Sequence, residues 1–94
     1  MANVYITVWD HAETVALGDP LQHVVAIIGS TNSDAITGTG RLRRRCRLFA
    51  EAACWVKWGA SPTATGEDDA IPMGANNPEY YDIEAGYVVT AITR

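Results

Sequence analysis

Hydrophobic and polar positions alternate along much of the chain, which is the pattern of half-buried β-strands. Residues 4–9 are β-branched and aromatic in unbroken succession, so their valines and isoleucine are predicted to share one face and their tyrosine, threonine and tryptophan the other. Residues 21–28 predict a further strand, buried on both faces towards its end because the alternation gives way to a continuous apolar run. Residues 87–93 form the clearest predicted strand.

Glycine and proline divide the second half of the chain into short pieces. From Gly59 onward, no interval between these residues is long enough for an ordinary helix of about 11 residues. Short extended pieces are predicted there instead, at 63–65, 70–73 and 79–83, and residues 13–17 are a weaker strand candidate nearer the start. Short strands separated by frequent turns indicate a small all-β sandwich or barrel.

Residues 41–58 fit two kinds of secondary structure. On a helix, apolar residues recur at spacings of three and four from Leu42 to Val56, and Arg, Leu, Ala and Glu are good helix formers. On a strand, the arginines at positions 41, 43, 45 and 47 would line one face, with Arg44 as the exception. The pattern alone leaves helix and strand open, with the helix slightly ahead.

The size of the chain allows one hydrophobic core. A mass of 10.2 kDa predicts a folded surface of about 5,300 Å² against roughly 14,800 Å² for the unfolded chain, so residues 1–94 are expected to form a single domain. The longest apolar run, residues 24–28, is far short of a membrane span. The sequence begins without the basic and apolar regions of a secretory signal, and a soluble intracellular domain is expected.

Charge is distributed very unevenly along the chain. Residues 1–40 contain four acidic residues and no Lys or Arg, residues 41–57 contain six basic residues and one Glu, and residues 58–94 contain six acidic residues and one Arg. Arginines crowded on one strand face repel each other, so an opposing charge is expected to lie against them.

Four interpretations of these arginines are open. They can pair with the protein's own acidic C-terminal half, within one chain or between the subunits of a homo-oligomer, or with an acidic partner protein, since a planar guanidinium pairs well with carboxylates. They can also form an ordinary solvated face. Nucleic acid is disfavoured as a partner, because the protein is net acidic with a pI near 4.9 and lacks the aromatic–basic motif of a known nucleic-acid-binding module.

Aromatic side chains add to the predicted interface. Trp55 and Trp58 would face opposite sides of a strand, and so would Tyr80 and Tyr81, so one ring of each pair is expected near the surface. Aromatic rings beside arginines are typical of binding hot spots. The predicted partner-binding residues are Arg41, Arg43, Arg45, Arg47, Trp55, Tyr80 and Tyr81.

The sequence contains no recognised catalytic, cofactor-binding or metal-binding motif, and no enzyme activity, cofactor or metal is expected. Cys46 and Cys54 lie eight residues apart, which is not a metal-ligand spacing. They are expected to be buried and reduced, and a disulfide stays open because a two-stranded ribbon turning near residue 50 would let them face each other. A zinc site at His11 and His23 would need two further ligands, and the spacing of the cysteines does not indicate them.

The second half of the chain resembles a known class of viral proteins. The motifs are Trp58-Gly59 at a strand end, Pro72-Met73-Gly74 at a turn, the aromatic Glu79-Tyr80-Tyr81 and the closing strand from Gly86 to Ile92. In this order they resemble small β-sandwich proteins encoded in the structural-gene clusters of tailed bacteriophages, over about residues 41–93. The sequence departs from that pattern at Tyr87, where Asp is usual, and in its arginine-rich residues 41–47.

The resemblance implies a fold: two strands at 41–49 and 53–58, joined near residues 50–52, in an all-β, small antiparallel β-sandwich that is jelly-roll-like. It also implies a function, since proteins of this kind are capsid decoration (cement) or head-associated virion proteins. The expected protein is a dimer or trimer that binds the major capsid protein on the capsid exterior, after passing through the host cytoplasm during assembly, without any membrane. A neck, collar or fibre-attachment adaptor is an alternative role in the virion. A small nucleic-acid-binding module acting through Arg41–Arg47 is an alternative of another class.

Overall fold

The computed structural model describes residues 2–10, 20–39, 42–63 and 70–94, and within them the chain forms seven β-strands and no helix. The strands are β1 (Asn3–Trp9), β2 (Gln22–Ile27), β3 (Arg43–Ala50), β4 (Cys54–Gly59), β5 (Ile71–Met73), β6 (Glu79–Glu84) and β7 (Val88–Thr93). The strand predicted at 13–17 lies outside the described residues, as do residues 64–65 of the piece predicted at 63–65, and Thr63 is not in a strand.

The seven strands form two antiparallel sheets. One sheet has four strands in the order β2-β1-β3-β6, and the other has three in the order β5-β4-β7. The chain passes from one sheet to the other after β3, after β5 and after β6. The all-β antiparallel sandwich that the turns and the resemblance predicted is confirmed.

The hydrophobic core lies between the two sheets. Every second residue of β1 is buried, namely Val4, Ile6 and Val8, because adjacent residues of a strand point to opposite faces. The three-stranded sheet contributes fully buried side chains such as Val56 and Val89, and buried residues of both sheets form one cluster within the described ranges. The two faces predicted for residues 4–9 are confirmed.

The segment whose pattern fitted both helix and strand folds as two strands. β3 and β4 occupy it, and residues 51–53 connect them, as the resemblance implied. β3 buries Cys46, Leu48 and Ala50 and directs its alternate arginines the other way. Its backbone pairs with β1 along one edge and with β6 along the other, so its N–H and C=O groups are satisfied by neighbouring strands rather than within a helix.

The two-stranded ribbon that would let the cysteines face each other does not form. β3 pairs with β1 and β6, whereas β4 pairs with β5 and β7, so Cys46 and Cys54 belong to different sheets. Because both edges of β3 are already occupied, the chain at 51–53 leaves the first sheet instead of turning back as a hairpin. Both thiols are buried and unpaired.

The chain that follows β2 covers the outer edge of β7. The N–H groups of residues 29, 33 and 36 donate to the carbonyls of residues 91, 89 and 87, at 2.7, 2.9 and 2.8 Å. The hydroxyl of the buried Ser33 accepts the N–H of Val89 at 2.9 Å. An open strand edge invites pairing with another chain, so this cover blocks association through β7.

Neighbouring valines of β2 provide a test of the sandwich. Val24 is 7% exposed and faces the core, whereas Val25 is 41% exposed and faces away from it. The prediction that this strand is buried on both faces towards its end is therefore wrong, because β2 keeps its alternation. The substitution Val24→Thr buries a hydroxyl among apolar side chains, and we expect it to lower the free energy of unfolding by about 1–3 kcal/mol. The same substitution at Val25 should change it by about 0.5 kcal/mol or less. Urea denaturation measures both values, and equal effects would contradict the assignment of faces.

Candidate interaction surface

The face of the four-stranded sheet that points away from the core is the candidate functional site, and we call it the outer face. It is built from alternate residues of four strands, and the strand register aligns these residues in rows across the sheet. Its central residues are Tyr5, Thr7 and Trp9 of β1, His23 and Val25 of β2, Arg43, Arg45, Arg47 and Phe49 of β3, and Tyr80, Asp82 and Glu84 of β6.

Exposed apolar side chains concentrate on the outer face. Tyr5 and Val25 are each 41% exposed, and Tyr80 is 52% exposed. The other large hydrophobic residues of comparable exposure in the described part of the chain are Leu21 and Leu42, which directly precede β2 and β3. Single exposed apolar residues are common on protein surfaces, but aromatic rings grouped beside arginines have the composition of a binding surface.

Two of the arginine rows end in a carboxylate on β6. Arg45 lies opposite Asp82, and its Nε donates to Asp82 Oδ1 at 2.7 Å. Arg43 lies opposite Glu84 in the same register. The side chains of the Arg45–Asp82 pair remain 32% and 33% exposed, so water screens the pair and its net stabilisation is on the order of 0.2–1 kcal/mol. The acidic C-terminal half therefore supplies part of the opposing charge within one chain.

Arg47 has a different environment from the other two arginines. Its neighbours across the sheet are Thr7 on β1 and Tyr80 on β6. Its guanidinium carbon lies 5.3 Å from the centroid of the Phe49 ring, within the range of a cation–π contact. Among the described residues, no carboxylate pairs with Arg47. The row of Arg47 therefore ends in a phenol where the rows of Arg43 and Arg45 end in an acid.

An aromatic pair crosses the centre of the outer face. The ring centroids of Trp9 and Tyr80 are 6.5 Å apart and their planes are inclined by 30°, although β3 lies between the strands that carry them. Trp9 lies opposite Arg45 and Tyr80 lies opposite Arg47, so the pair spans β3 diagonally between the two arginines. The contact orients the Tyr80 ring while leaving half of the residue exposed.

Arg44 points away from the outer face, as the alternation of β3 predicts. Its side chain is 14% exposed, its Nη1 donates to Asp10 Oδ1 at 2.6 Å, and its Nε donates to the carbonyl of Thr37 at 3.1 Å. Gly38 lies against it with a φ of 126°, and a Cβ there would lie 2.9 Å from the Cβ of Ala85. Position 38 therefore requires glycine, and the hydrogen bond from Arg44 to Thr37 holds residues 37–38 against β3.

Four of the predicted partner-binding residues lie together. The outer face brings Arg43, Arg45 and Arg47 into one file along β3 and places Tyr80 beside Arg47. Arg41 lies outside the described residues. The strand alternation therefore predicted correctly that these arginines share one face.

The other two predicted aromatic residues lie elsewhere. Trp55 is on the outward side of the three-stranded sheet, where the guanidinium carbon of Arg94 lies 5.4 Å from its ring centroid. Tyr81 faces inward and packs against Trp58 of the opposite sheet, with 4.9 Å between ring centroids. The prediction that each aromatic pair divides between two faces is confirmed. It could not indicate which outward ring lies near the arginines.

The apolar half of the outer face is absent from the predicted interface. Tyr5, Trp9, Val25 and Phe49 were not among the predicted interface residues. The alternation of residues 4–9 placed Tyr5 and Trp9 on one face, but it carries no information on which strand lies beside β1. Only the pairing of β1 with β3 brings these rings to the arginines.

The buried Cys46 and the partly buried Tyr81 have strongly raised pKa values. Burial raises the pKa of the Cys46 thiol from 9.0 to about 12, and the negative charge of Asp82 adds to the shift. Burial raises the pKa of Tyr81 from 10.0 to about 12, assisted by its hydrogen bond to Glu79 and by the charge of that carboxylate. Burial also raises the pKa of Cys54, opposed by the charge of Arg94. These shifts hold both thiols in the neutral form, which is a poor nucleophile.

The described residues contain no cluster of three or more His, Cys, Asp or Glu side chains placed to hold a metal ion. No helix in the same ranges is long and apolar enough to cross a membrane. Comparison with protein-family models, with curated proteins and with solved structures finds no match to this chain.

The Cys46 thiol makes a prediction about stability in alkali. Because the folded state holds this proton more tightly than the unfolded state, the free energy of unfolding should fall as the pH rises from 9.0 to about 12. One such group changes it by up to about 1.4 kcal/mol per pH unit. We expect Cys46→Ala to make this decline shallower, as measured by urea denaturation at several pH values. Val24→Ala, which truncates the core without removing a titrating group, should leave the slope unchanged. An unaltered slope in Cys46→Ala would refute the assignment.

Proposed function

We propose that this protein is a structural component of a tailed-phage virion, and that it decorates the capsid by binding the major capsid protein through its outer face. The observation that carries the proposal is the outer face itself. It presents half-exposed Tyr5 and Tyr80 in the same rows as Phe49 and Arg47, on a rigid antiparallel sheet. Tyrosine and arginine are enriched at protein interfaces and dominate their hot spots.

The sandwich fold supports the same role. The resemblance over residues 41–93 implied an all-β sandwich with strands at 41–49 and 53–58, and the chain has that architecture. The β-sandwich hosts many functions, so the fold alone does not assign one, and the surface has to supply the argument. The described side chains of the outer face can bind a partner, and the thiol of Cys46 lies buried on the opposite side of the same sheet in its neutral form.

Decoration by many copies fits the properties of the surface. A small subunit contributes a modest contact area, and its total effect on a shell comes from repetition and from the avidity of a dimer or trimer. Arg45 already pairs with Asp82 within the chain, and exposed ion pairs are worth little, so the exposed aromatic rings are expected to carry most of the binding energy.

Co-sedimentation with capsid shells tests the proposal. The wild-type protein should sediment with shells assembled from the major capsid protein of the phage that encodes it, when those shells lack this protein. We expect the double substitution Tyr5→Ser with Tyr80→Ser to weaken binding about tenfold or more, because two aromatic anchors are lost.

Leu42→Ser provides the matched control. Leu42 is 52% exposed, as Tyr80 is, but it falls on the opposite alternation of β3 and therefore lies off the outer face. This variant should sediment like the wild type. Failure of the wild-type protein to bind shells would overturn the decoration role, and binding to isolated neck or fibre assemblies instead would point to the adaptor role. Equal loss in the control would remove the outer face from the mechanism.

A further inference from the structure

On the outer face, arginines of β3 lie opposite carboxylates of β6 in two rows but not in a third. Along β3 the arginines occupy every second position, and β6 supplies a residue opposite each of them. The partners are Glu84 for Arg43, Asp82 for Arg45 and Tyr80 for Arg47. The row of Arg47 therefore contains no carboxylate of β6. It contains Tyr80 instead, the most exposed aromatic residue of the face.

The environment of Arg47 leaves its hydrogen-bonding capacity for a partner. The Phe49 ring lies against the guanidinium, 5.3 Å from its central carbon, and a ring face accepts the charge without satisfying the five N–H donors in the guanidinium plane. The described residues place no carboxylate on those donors. A planar guanidinium held this way presents a fork that matches a carboxylate with two parallel hydrogen bonds.

Aromatic and aliphatic side chains lie beside Arg47 on β6 and in the next row of the sheet, whereas Thr7 lies beside it on β1. Tyr80 stands beside it on β6, oriented by its contact with Trp9. One row further along β3, Phe49 lies opposite Tyr5, which in turn lies opposite Val25. A ligand that reaches Arg47 with an acid would therefore rest its neighbouring groups on aromatic and aliphatic side chains.

We propose that the outer face binds an acidic protein segment in which one Asp or Glu, flanked by apolar side chains, pairs with Arg47. This inference rests on the proposed function, since it specifies the chemistry of the capsid partner. The carboxylate of the segment pairs with Arg47 as Asp82 pairs with Arg45, and the flanking apolar side chains cover Tyr5 and Tyr80.

The charges of the outer face favour this partner over two others. Three arginines against Asp82 and Glu84 leave the face with a net positive charge, so two copies meeting face to face would repel each other. The same two carboxylates lie beside the arginines and oppose the approach of a phosphate backbone. An acidic segment with apolar neighbours matches the positive charge of the face and covers its exposed rings.

The structure also ranks the arginines, which the sequence could not do. Arg45 already donates to Asp82 at 2.7 Å, so its replacement removes a charge that is compensated internally. Arg47 has no such internal acid among the described residues. Binding of an acidic segment should therefore depend on Arg47 far more than on Arg45.

Titration by two-dimensional ¹⁵N NMR tests the inference with defined probes. The peptide acetyl-Leu-Glu-Leu-amide should shift the amide resonances of residues 5, 47, 49 and 80, and acetyl-Leu-Gln-Leu-amide should bind about fivefold more weakly, because the charge-assisted hydrogen bonds are lost. Arg47→Gln should abolish this preference for the acid. Arg45→Gln, the matched control on the same strand face, should retain it. Arg47→Lys should retain part of it, since lysine keeps the charge and loses the fork.

Three ligand-titration results would overturn the inference. They are equal binding of the Glu and Gln peptides, loss of the acid preference in Arg45→Gln but not in Arg47→Gln, and stronger shifts of the same resonances by an oligothymidylate than by the Glu peptide. Shifts of these resonances with protein concentration alone would show that a second copy covers the face, and would also overturn it. The peptide assay is independent of the shells. An acid preference that persists while shells do not bind would refute decoration and leave the Arg47 site standing.

Discussion

The pleat of β3 couples the core of the protein to its candidate binding surface. Adjacent residues of a strand point to opposite faces, so the strand that buries Cys46 and Leu48 also presents Arg45 and Arg47 to the outside. A slip of one residue in its register would turn the guanidiniums into the core, where unpaired charge is very costly. Because β3 is held by β1 on one edge and β6 on the other, burial of its apolar residues fixes the rows of the outer face.

The same register explains why the basic and acidic parts of the sequence are so sharply separated. Residues two apart on a strand lie about 7 Å from each other on the same face, so successive arginines of β3 repel along the strand. β6 comes from the acidic C-terminal part and is the strand that pairs with β3. It places Asp82 and Glu84 opposite two of the arginines, so the charges that are far apart in sequence meet in the sheet.

The sequence allowed much of the fold to be predicted, because strand alternation is a local signal. The buried and exposed faces of residues 4–9, and the division of Tyr80 from Tyr81, needed only a period of two. Alternation did not decide the secondary structure of residues 41–58, because their apolar residues also recur at helical spacing. Their assignment as two strands came from the resemblance and not from the residues themselves.

The candidate binding surface was harder to predict because it depends on strand order. Trp55 and Tyr5 are both outward aromatic residues, but only Tyr5 lies on the sheet that contains β3. The two cysteines show the same limit. Eight residues suit a hairpin, yet β3 already has neighbours on both edges and the chain crosses to the other sheet. Pairing between distant segments is set by the packing of the whole sandwich, which no local pattern records.

The size of the outer face bears on how the proposed role would work. Four strands spaced about 4.8 Å apart, with six residues of about 3.4 Å each, give a flat area of about 400 Å². An ordinary stable interface buries about 800 Å² on each partner. The accessible surface of the side chains exceeds this flat area, so one outer face lies towards the small end of ordinary interfaces. In the proposed role, several copies acting together would add affinity, and Arg47, as the arginine of the outer face whose row holds no carboxylate, would discriminate between partners.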